Sequence, residues 1–252
     1  MKKKILLAAV SLILFSASSQ ADETVSLKLG YAYLNPGGTF ASSDVGSATR
    51  LGVDSLLAMK NSSGVTAEAA LQFGDHRFAI AVLPISATGS RTLSVPITFA
   101  GKTYTAGTKI NSSLKSTLYD IGYTYYFVNM DDLPSRLQLG LEFSVKINKI
   151  DATISSTTLG SSSINTTAPI PTLGFRGRVA LADFVGLVGR VGYLTVGKRG
   201  SYLDADAQVE FSPLPMVGIY GGYHYIKIKV KTTSVYTDMH FAGPYIGGLA
   251  RF

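Results

Sequence analysis

The sequence predicts an all-β fold: a single antiparallel β-barrel of about ten strands that crosses a membrane, with eight strands as the alternative. Three observations predict it. Apolar and polar residues alternate along most of the chain, as they do in strands with one apolar face. Several runs approach the roughly 9–11 residues that a tilted strand needs to cross a bilayer, against about 5–6 in soluble sheets. Short and long connections also alternate from the first strand to the last, which is typical of barrels with short periplasmic turns and longer extracellular loops.

The N-terminus has the layout of a secretory signal peptide. Lysines occupy positions 2–4, residues 5–15 are almost wholly apolar, and residues 19–21 have the small-x-small form of a cleavage site. The alternative, a membrane anchor, requires a longer apolar run. We therefore expect residues 1–21 to be removed on export and residues 22–252 to form one outer-membrane β-barrel domain.

The composition excludes several classes of protein. Without the three signal lysines the chain carries 20 Lys+Arg against 16 Asp+Glu, a net charge of +4, which is too weakly basic to indicate nucleic-acid binding. There is no cysteine, so an exported chain must be stable without disulfides. No metal-ligand spacing or phosphate-binding loop is present, and we expect neither a metal nor a cofactor. No segment after the signal peptide has the length and apolar character of a transmembrane helix.

Ten runs of alternation mark the strands. The clearest spans residues 137–147, where every odd position is aliphatic or aromatic. Residues 203–211 alternate in the same way, with Asp204, Asp206 and Glu210 on the second face. The other runs lie at 25–33, 65–73, 78–82, 119–127, 173–179, 185–193, 216–230 and 241–252. Hydrocarbon requires a closed sheet without unpaired edges, so the apolar face should look outward and the acids should face the lumen.

The connections fall into two sets. The short ones lie at 74–76, 129–135, 181–184 and 212–215, and the longer ones at 35–63, 89–113, 151–168, 196–201 and 231–239. The Ser- and Thr-rich segment 151–168 is predicted to be a loop. Two β-rich runs around Ala100-Gly101-Lys102 predict a small extra hairpin above the membrane. An even number of strands places both termini on the periplasmic side.

Parity places a mixed set of charges in the lumen. The candidate residues are Glu68, Asp120, Arg136, Glu142, Arg176, Arg178, Arg190, Asp204, Asp206 and Glu210. Opposite charges in a narrow space should pair, since breaking a buried pair costs about 3–5 kcal/mol. The set predicts a lumen closed by a polar network, and it is also the candidate lining of a narrow solute path. Parity assigns His224 to the lipid or interface side. Tyrosines near strand ends are predicted to form interfacial girdles: Tyr31, Tyr33, Tyr193, Tyr202, Tyr220 and Tyr245.

The chain ends on Phe252, which closes an alternating strand. A terminal Phe in this position resembles the C-terminal signature of Gram-negative outer-membrane β-barrels, which implies recognition by the barrel-insertion machinery. Ala250 departs from that signature, because many members have a bulkier residue there. The segments AEAALQFGDHRFAIAVLPI, YDIGYTYYF, SRLQLGLEFSV and IYGGYHY, in this order, are similar to small proteins of the outer membrane β-barrel domain family. The resemblance covers the whole mature chain and implies an outer-membrane location; most members have no assigned activity.

Residues suited to catalysis are sparse. The chain has three histidines, and His76 lies in a short turn. The pair Asp204-x-Asp206 with the later pair Asp238-x-His240 resembles the dyads of omptin proteases, which are also ten-stranded barrels. Here the two strands that carry the pairs are separated by a single strand, and the spacing along the chain is much shorter. We therefore expect no enzyme.

The sequence favours an integral outer-membrane barrel with a structural or surface-interaction role and a largely charge-plugged lumen. A narrow, porin-like channel for a small solute is the alternative, and an omptin-like surface protease is the second alternative. The expected partners are outer-membrane lipids, lipopolysaccharide and, during biogenesis, the insertion machinery. A channel would add a small solute to these partners, and no nucleic acid is expected.

Overall fold

The computed structural model describes residues 25–42, 51–53, 57–130, 136–214, 216–231 and 235–252, so the predicted signal peptide lies outside the described residues. In the described part of the chain, no helix has the length and hydropathy needed to cross a bilayer. The strands are β1 (Val25–Ser42), β2 (Leu51–Gly52), β3 (Ser62–Phe73), β4 (His76–Thr92), β5 (Ile97–Phe99), β6 (Lys102–Tyr104), β7 (Lys109–Met130), β8 (Leu137–Ser156), β9 (Gly160–Ala182), β10 (Val185–Thr195), β11 (Gly200–Phe211), β12 (Val217–Lys231) and β13 (Val235–Arg251).

Ten strands close into one antiparallel barrel, which confirms the predicted fold and excludes the eight-stranded alternative. The order is β1, β3, β4 and then β7 to β13, with β13 pairing back onto β1. Following paired residues once around the barrel from Val25 leads to Gly37, twelve residues further along β1. Strands in a barrel staggered in this way tilt by about 35–45° from its axis.

An apolar belt surrounds the lower part of the barrel. Phe143 and Val209 are each 50% exposed, Phe211 42% and Leu139 40%, so these large side chains look outward. Every neighbouring strand adds residues of the same kind, among them Leu29, Val65, Phe78, Ile80, Ile121, Phe175 and Ile246. In water such a continuous apolar surface would drive aggregation. In a bilayer it is the lipid contact that a transmembrane barrel requires.

Above the belt, apolar and polar residues still alternate, but the apolar residues now face the interior and the polar residues face outward. Along the lower part of β7, Asp120 is buried while Ile121 faces lipid. Along the upper part of the same strand, Ile110 and Leu114 are buried while Lys115 is exposed. Outside the upper wall there is water, so the apolar side chains turn inward. One continuous strand therefore serves a membrane barrel below and a water-surrounded barrel above.

The upper interior is filled by an apolar core, called here the outer core. The strands contribute Ala32, Leu34, Phe40, Leu83, Ile85, Ala87, Ile110, Leu114, Leu118, Ala152, Ile154, Tyr202, Ile226, Ile228, Met239 and Phe241. Two connecting segments fold inward to complete it with Leu51, Val53, Leu57, Met59, Leu93, Ile97, Phe99 and Tyr104. Phe40 and Phe99 pack edge to face, and the Tyr104 hydroxyl donates to the Ile154 carbonyl at 3.1 Å. The outer core closes the described part of the barrel from above.

The predicted extra hairpin is confirmed. Strands β5 and β6 pair across a two-residue turn at Ala100 and Gly101, and both residues have positive φ (50° and 74°). That backbone is typical of the type I′ turn, which matches the twist of a tight hairpin. The hairpin turns its apolar side chains Ile97, Phe99 and Tyr104 into the outer core.

Two of the predicted long loops are largely strand in the part of the chain that the structure describes. The prediction that segment 151–168 is a loop was wrong. Strand β8 runs to Ser156, β9 begins at Gly160, and only three residues form the turn between them. Segment 231–239 is likewise mostly strand. The Ser- and Thr-rich residues of this segment show no alternation of apolar and polar residues. However, β8 buries Ala152 and Ile154 in the outer core. That packing holds the hairpin in register.

Candidate functional site in the barrel interior

Nine of the ten candidate charges lie inside the barrel, at the level of the apolar belt. They are Glu68, Asp120, Glu142, Arg176, Arg178, Arg190, Asp204, Asp206 and Glu210. The tenth, Arg136, was expected in the lumen; it precedes β8 and is exposed, so it lies beyond the enclosed part of the interior. Its carbonyl accepts a hydrogen bond from the Ala180 amide, which fixes it at the periplasmic rim. The charged interior is called here the polar layer.

The upper part of the polar layer is organised around Lys146, which is 1% exposed. Its ammonium lies 2.5 Å from Asp120 and 2.6 Å from Asp204. The Arg190 guanidinium bridges the same two carboxylates at 2.7 and 3.5 Å. His224 Nε2 lies 2.7 Å from the other oxygen of Asp204. The four strands that carry Asp120, Lys146, Arg190 and Asp204 are thus joined by ionic contacts across the interior.

The lower part is organised around two glutamates. Glu210 accepts from Lys28 at 2.9 Å, lies 3.6 Å from Arg178, and pairs with Arg251. Glu68 accepts from Arg77 at 2.8 Å. These contacts join the first and last barrel strands through the interior, in addition to their backbone pairing.

Sequence reasoning missed several members of the polar layer. Lys146, Arg77 and Arg251 were not in the candidate set, although each has the parity of an inward residue. Lys146 shares its parity with Glu142 four residues earlier, so the alternation already carried the signal. Lys28 is also part of the layer and pairs with Glu210.

The assignment of His224 to the lipid or interface side was wrong. On β12, Ile226 and Ile228 are buried in the outer core while Lys227 and Lys229 are exposed. If the apolar residues are assumed to face outward along the whole of β12, Ile226 and Ile228 are assigned to the outside. His224 has the same parity, so it is assigned to the outside with them. Three of the six predicted girdle tyrosines were also misplaced: Tyr202, Tyr220 and Tyr245 face the interior, whereas Tyr31, Tyr33 and Tyr193 are exposed.

Two small cavities remain within the polar layer. The upper one, of about 80 Å³, is lined by Glu68, Asp120, Arg176, Arg190, Asp206 and His224 among others. The lower one, of about 40 Å³, lies nearer the periplasmic end. A cavity needs about 10–15 Å³ to hold one water, so each has room for a few water molecules. No group of three metal-ligating side chains occurs among the described residues.

The two pairs noted in the sequence, Asp204 with Asp206 and Asp238 with His240, lie on opposite sides of the barrel wall. Asp204 is 1% exposed and faces inward, and Asp206 accepts a hydrogen bond from the interior Tyr245 hydroxyl at 2.9 Å. His240 is exposed and stacks on Tyr225, and Asp238 pairs with the exposed Lys229 at 3.4 Å. The pairs therefore do not face one another across a cleft.

Comparison with known proteins supports the fold. No family model and no curated protein matches the sequence. Among solved structures, the outer-membrane protease OmpT from Escherichia coli superposes with a TM-score of 0.57 at 10% identity, covering 94% of this chain and 99% of that one. The translocator domain of the autotransporter NalP from Neisseria meningitidis gives 0.45 at 14% identity, covering 100% and 95%. Ail of Yersinia pestis, in complex with the heparin analogue sucrose octasulfate, gives 0.40 at 14%, covering 91% and 99%.

The similarity to OmpT concerns the fold alone, which is that of a Gram-negative outer-membrane β-barrel. Together with the outward apolar belt, the fold places this chain in the outer membrane.

Proposed function

We propose that this protein is a non-conducting, non-enzymatic barrel that presents an interaction surface outside the cell. The observation that carries the proposal is the filled interior. The outer core closes the barrel from above, and the polar layer bridges it below. A barrel filled in this way offers partners its outer surface.

The surface itself is a projecting wall. Strands β4, β7, β8 and β9 have 17 to 23 residues, whereas β10 and β11 have 11 and 12. The pairs between β9 and β10 span only Leu173 to Ala182. Residues 160–172 of β9 therefore have no strand partner on that side among the described residues. Such an edge presents free amide and carbonyl groups to another extended chain.

Lipopolysaccharide remains a proposed neighbour of this surface. Lys149 and Lys227 are exposed just above the apolar belt, and Lys149 lies over the Tyr119 ring at 5.3 Å. Exposed ammonium groups at this level suit the phosphates of an anionic outer leaflet. The predicted role of Phe252 in insertion is retained as part of the proposal.

The two alternatives are less well supported. A solute path would have to cross the polar layer, where the cavities measure only about 80 and 40 Å³, and then the outer core. A protease of the omptin kind would need its Asp–Asp and Asp–His pairs on facing walls of one cleft, and here the two pairs lie on opposite faces of the barrel wall.

Planar-bilayer recording tests the proposal. The refolded protein is expected to insert without discrete current steps. A variant in which residues 94–107 are replaced by a short Gly-Ser linker removes Ile97, Phe99 and Tyr104 from the outer core and is expected to leak more. Steady discrete currents from the wild-type protein would favour the channel alternative and overturn the sealed interior.

A further inference from the structure

An apolar groove crosses the outer surface of the barrel, within the apolar belt, from β8 to β12. It has a volume of about 930 Å³. Its lining includes the large, exposed side chains Leu139, Phe175, Leu187, Val191, Val209 and Tyr223. These side chains point outward, so the groove, called here the belt groove, opens to the bilayer and not to the barrel interior.

The floor of the belt groove consists of small residues in register. Gly177 pairs with Gly189, and Gly189 pairs with Ala207. A Cβ atom added at Gly189 would meet no atom within 4 Å, so the floor borders open space. Phe175 and Val191, which pair with each other, form a wall beside it. Five strands at a spacing of about 4.8 Å give the groove a length of about 19 Å, which suits a linear hydrocarbon chain.

The belt groove slopes towards the outside of the cell. Pairing steps from β8 to β12 climb towards the outer ends of the strands, in the direction of the stagger described above. Its outer end therefore lies at Tyr223 on β12, which pairs with Ala207. Lys227 follows four residues later on the same outward face, about 13 Å further along the strand at about 3.3 Å per residue.

Lys227 and His240 together form a basic site beyond this outer end. They lie opposite each other on β12 and β13, and both are exposed. Opposite residues of an antiparallel pair have Cβ atoms about 4.5–5.5 Å apart, so an ammonium N–H and an imidazole N–H can donate to one phosphate group. His240 is held by stacking on Tyr225, with 6.4 Å between the ring centroids. The neighbouring acid, Asp238, lies opposite Lys229 and pairs with it at 3.4 Å.

We propose that the belt groove seats one acyl chain of a lipopolysaccharide molecule, and that Lys227 and His240 bind a phosphate group of the same molecule. The groove lies within the hydrocarbon and the basic site lies at its outer boundary, so together they match a lipid of the outer leaflet with a phosphorylated headgroup. A second protein chain would match the groove but does not require basic residues beyond its outer end. The inference rests on the lipopolysaccharide contact within the proposed function, and it does not depend on the sealed interior or the projecting wall.

Native mass spectrometry of the refolded protein in detergent micelles tests the proposal, with purified lipid A as the probe. The wild-type protein is expected to bind one lipid A molecule more tightly than lipid A from which the phosphates have been removed. Equal affinity for the two forms would overturn the phosphate site. A wild-type dimer that forms in place of the lipid complex would assign the belt groove to a second copy and would overturn the proposal.

Two lysine variants assign the headgroup. Lys227→Gln is expected to weaken the binding of lipid A about fivefold, since a basic residue near a membrane surface contributes about 1 kcal/mol. It should leave the binding of the dephosphorylated form unchanged. Lys115→Gln removes an exposed lysine of β7, away from the belt groove, and should retain the wild-type affinity. Equal losses in the two variants would overturn the assignment.

Two glycine variants assign the acyl chain. Gly189→Leu fills the floor of the belt groove and should weaken the binding of both forms of lipid A. Gly248→Leu places the same side chain on an exposed part of the belt outside the groove and should have no effect. A gel shift without boiling verifies that each variant is folded, and Ala207→Leu fills the same floor if Gly189→Leu does not fold. Unchanged binding in the folded groove variant would overturn the proposal, whereas discrete currents in planar bilayers would overturn only the sealed interior.

Discussion

At the scale of single residues, Lys146 does most to hold the polar layer together. It is almost completely buried, and its ammonium is the nearest cation to both Asp120 and Asp204. The Arg190 guanidinium contacts the same two carboxylates, so Asp120 and Asp204 are each paired with both Lys146 and Arg190. Every strand from which these residues project is thereby tied to strands that are not its neighbours in the sheet.

We expect Lys146→Met to lower the free energy of unfolding by about 3–5 kcal/mol, the cost of breaking a buried ion pair from one side. The measurement is urea unfolding in lipid vesicles. The control is Lys149→Met on the same strand, because Lys149 is exposed and contributes a cation–π contact worth about 0.5–1 kcal/mol. Equal losses in the two variants would mean that the interior ion pairs of Lys146 stabilise the fold no more than an exposed lysine does.

Residue parity explains which members of the polar layer the sequence could predict. Within the apolar belt, outside is lipid, so each polar residue between two apolar ones points inward; Asp120, Glu142 and Asp204 follow this rule. Lys146, between Val145 and Ile147, follows the same rule, so its position inside the barrel was also predictable. His224 lies near the level where the environment outside changes from lipid to water, and parity alone does not reveal that level.

At the scale of elements, the change from lipid to water outside the wall determines the residue pattern of the upper strands. Serine, threonine and lysine on the outer wall need only be soluble, so they carry no distinctive period. The inward residues, such as Ile150 and Ile154 on β8, do alternate, but over a stretch that the sequence also presents as low in complexity. Their packing into the outer core is a tertiary effect, which is why segment 151–168 was predicted to be a loop and folds as a hairpin.

The unpaired edge of β9 is the element-scale feature that hydrogen exchange can test. In residues 160–172, amides that point away from β8 have no strand partner among the described residues and should exchange rapidly. Amides of β8 from Asn148 to Ser155 lie at the same height, pair on both sides, and should be protected. Equal protection on both strands, read by NMR, would mean that another part of the chain covers the edge.

At the scale of the whole molecule, the fold is one closed sheet with two environments stacked along its axis. Below, an apolar exterior encloses the polar layer; above, a polar exterior encloses the outer core. The fold class, strand number and extra hairpin were predictable because alternation and connection lengths record them directly. The outer core was not, because it also depends on residues 51–53, 57–59 and 93–104, which fold back into the barrel.

The most direct test of this inversion is the accessibility of spin labels at three positions of β8 in vesicles; the chain has no native cysteine to interfere. A label at Phe143→Cys should collide with oxygen dissolved in the bilayer, and one at Lys149→Cys with a water-soluble nickel chelate. A label at Ser144→Cys, which faces the polar layer, should be shielded from both. Shielding at position 143 together with oxygen access at position 144 would contradict the account.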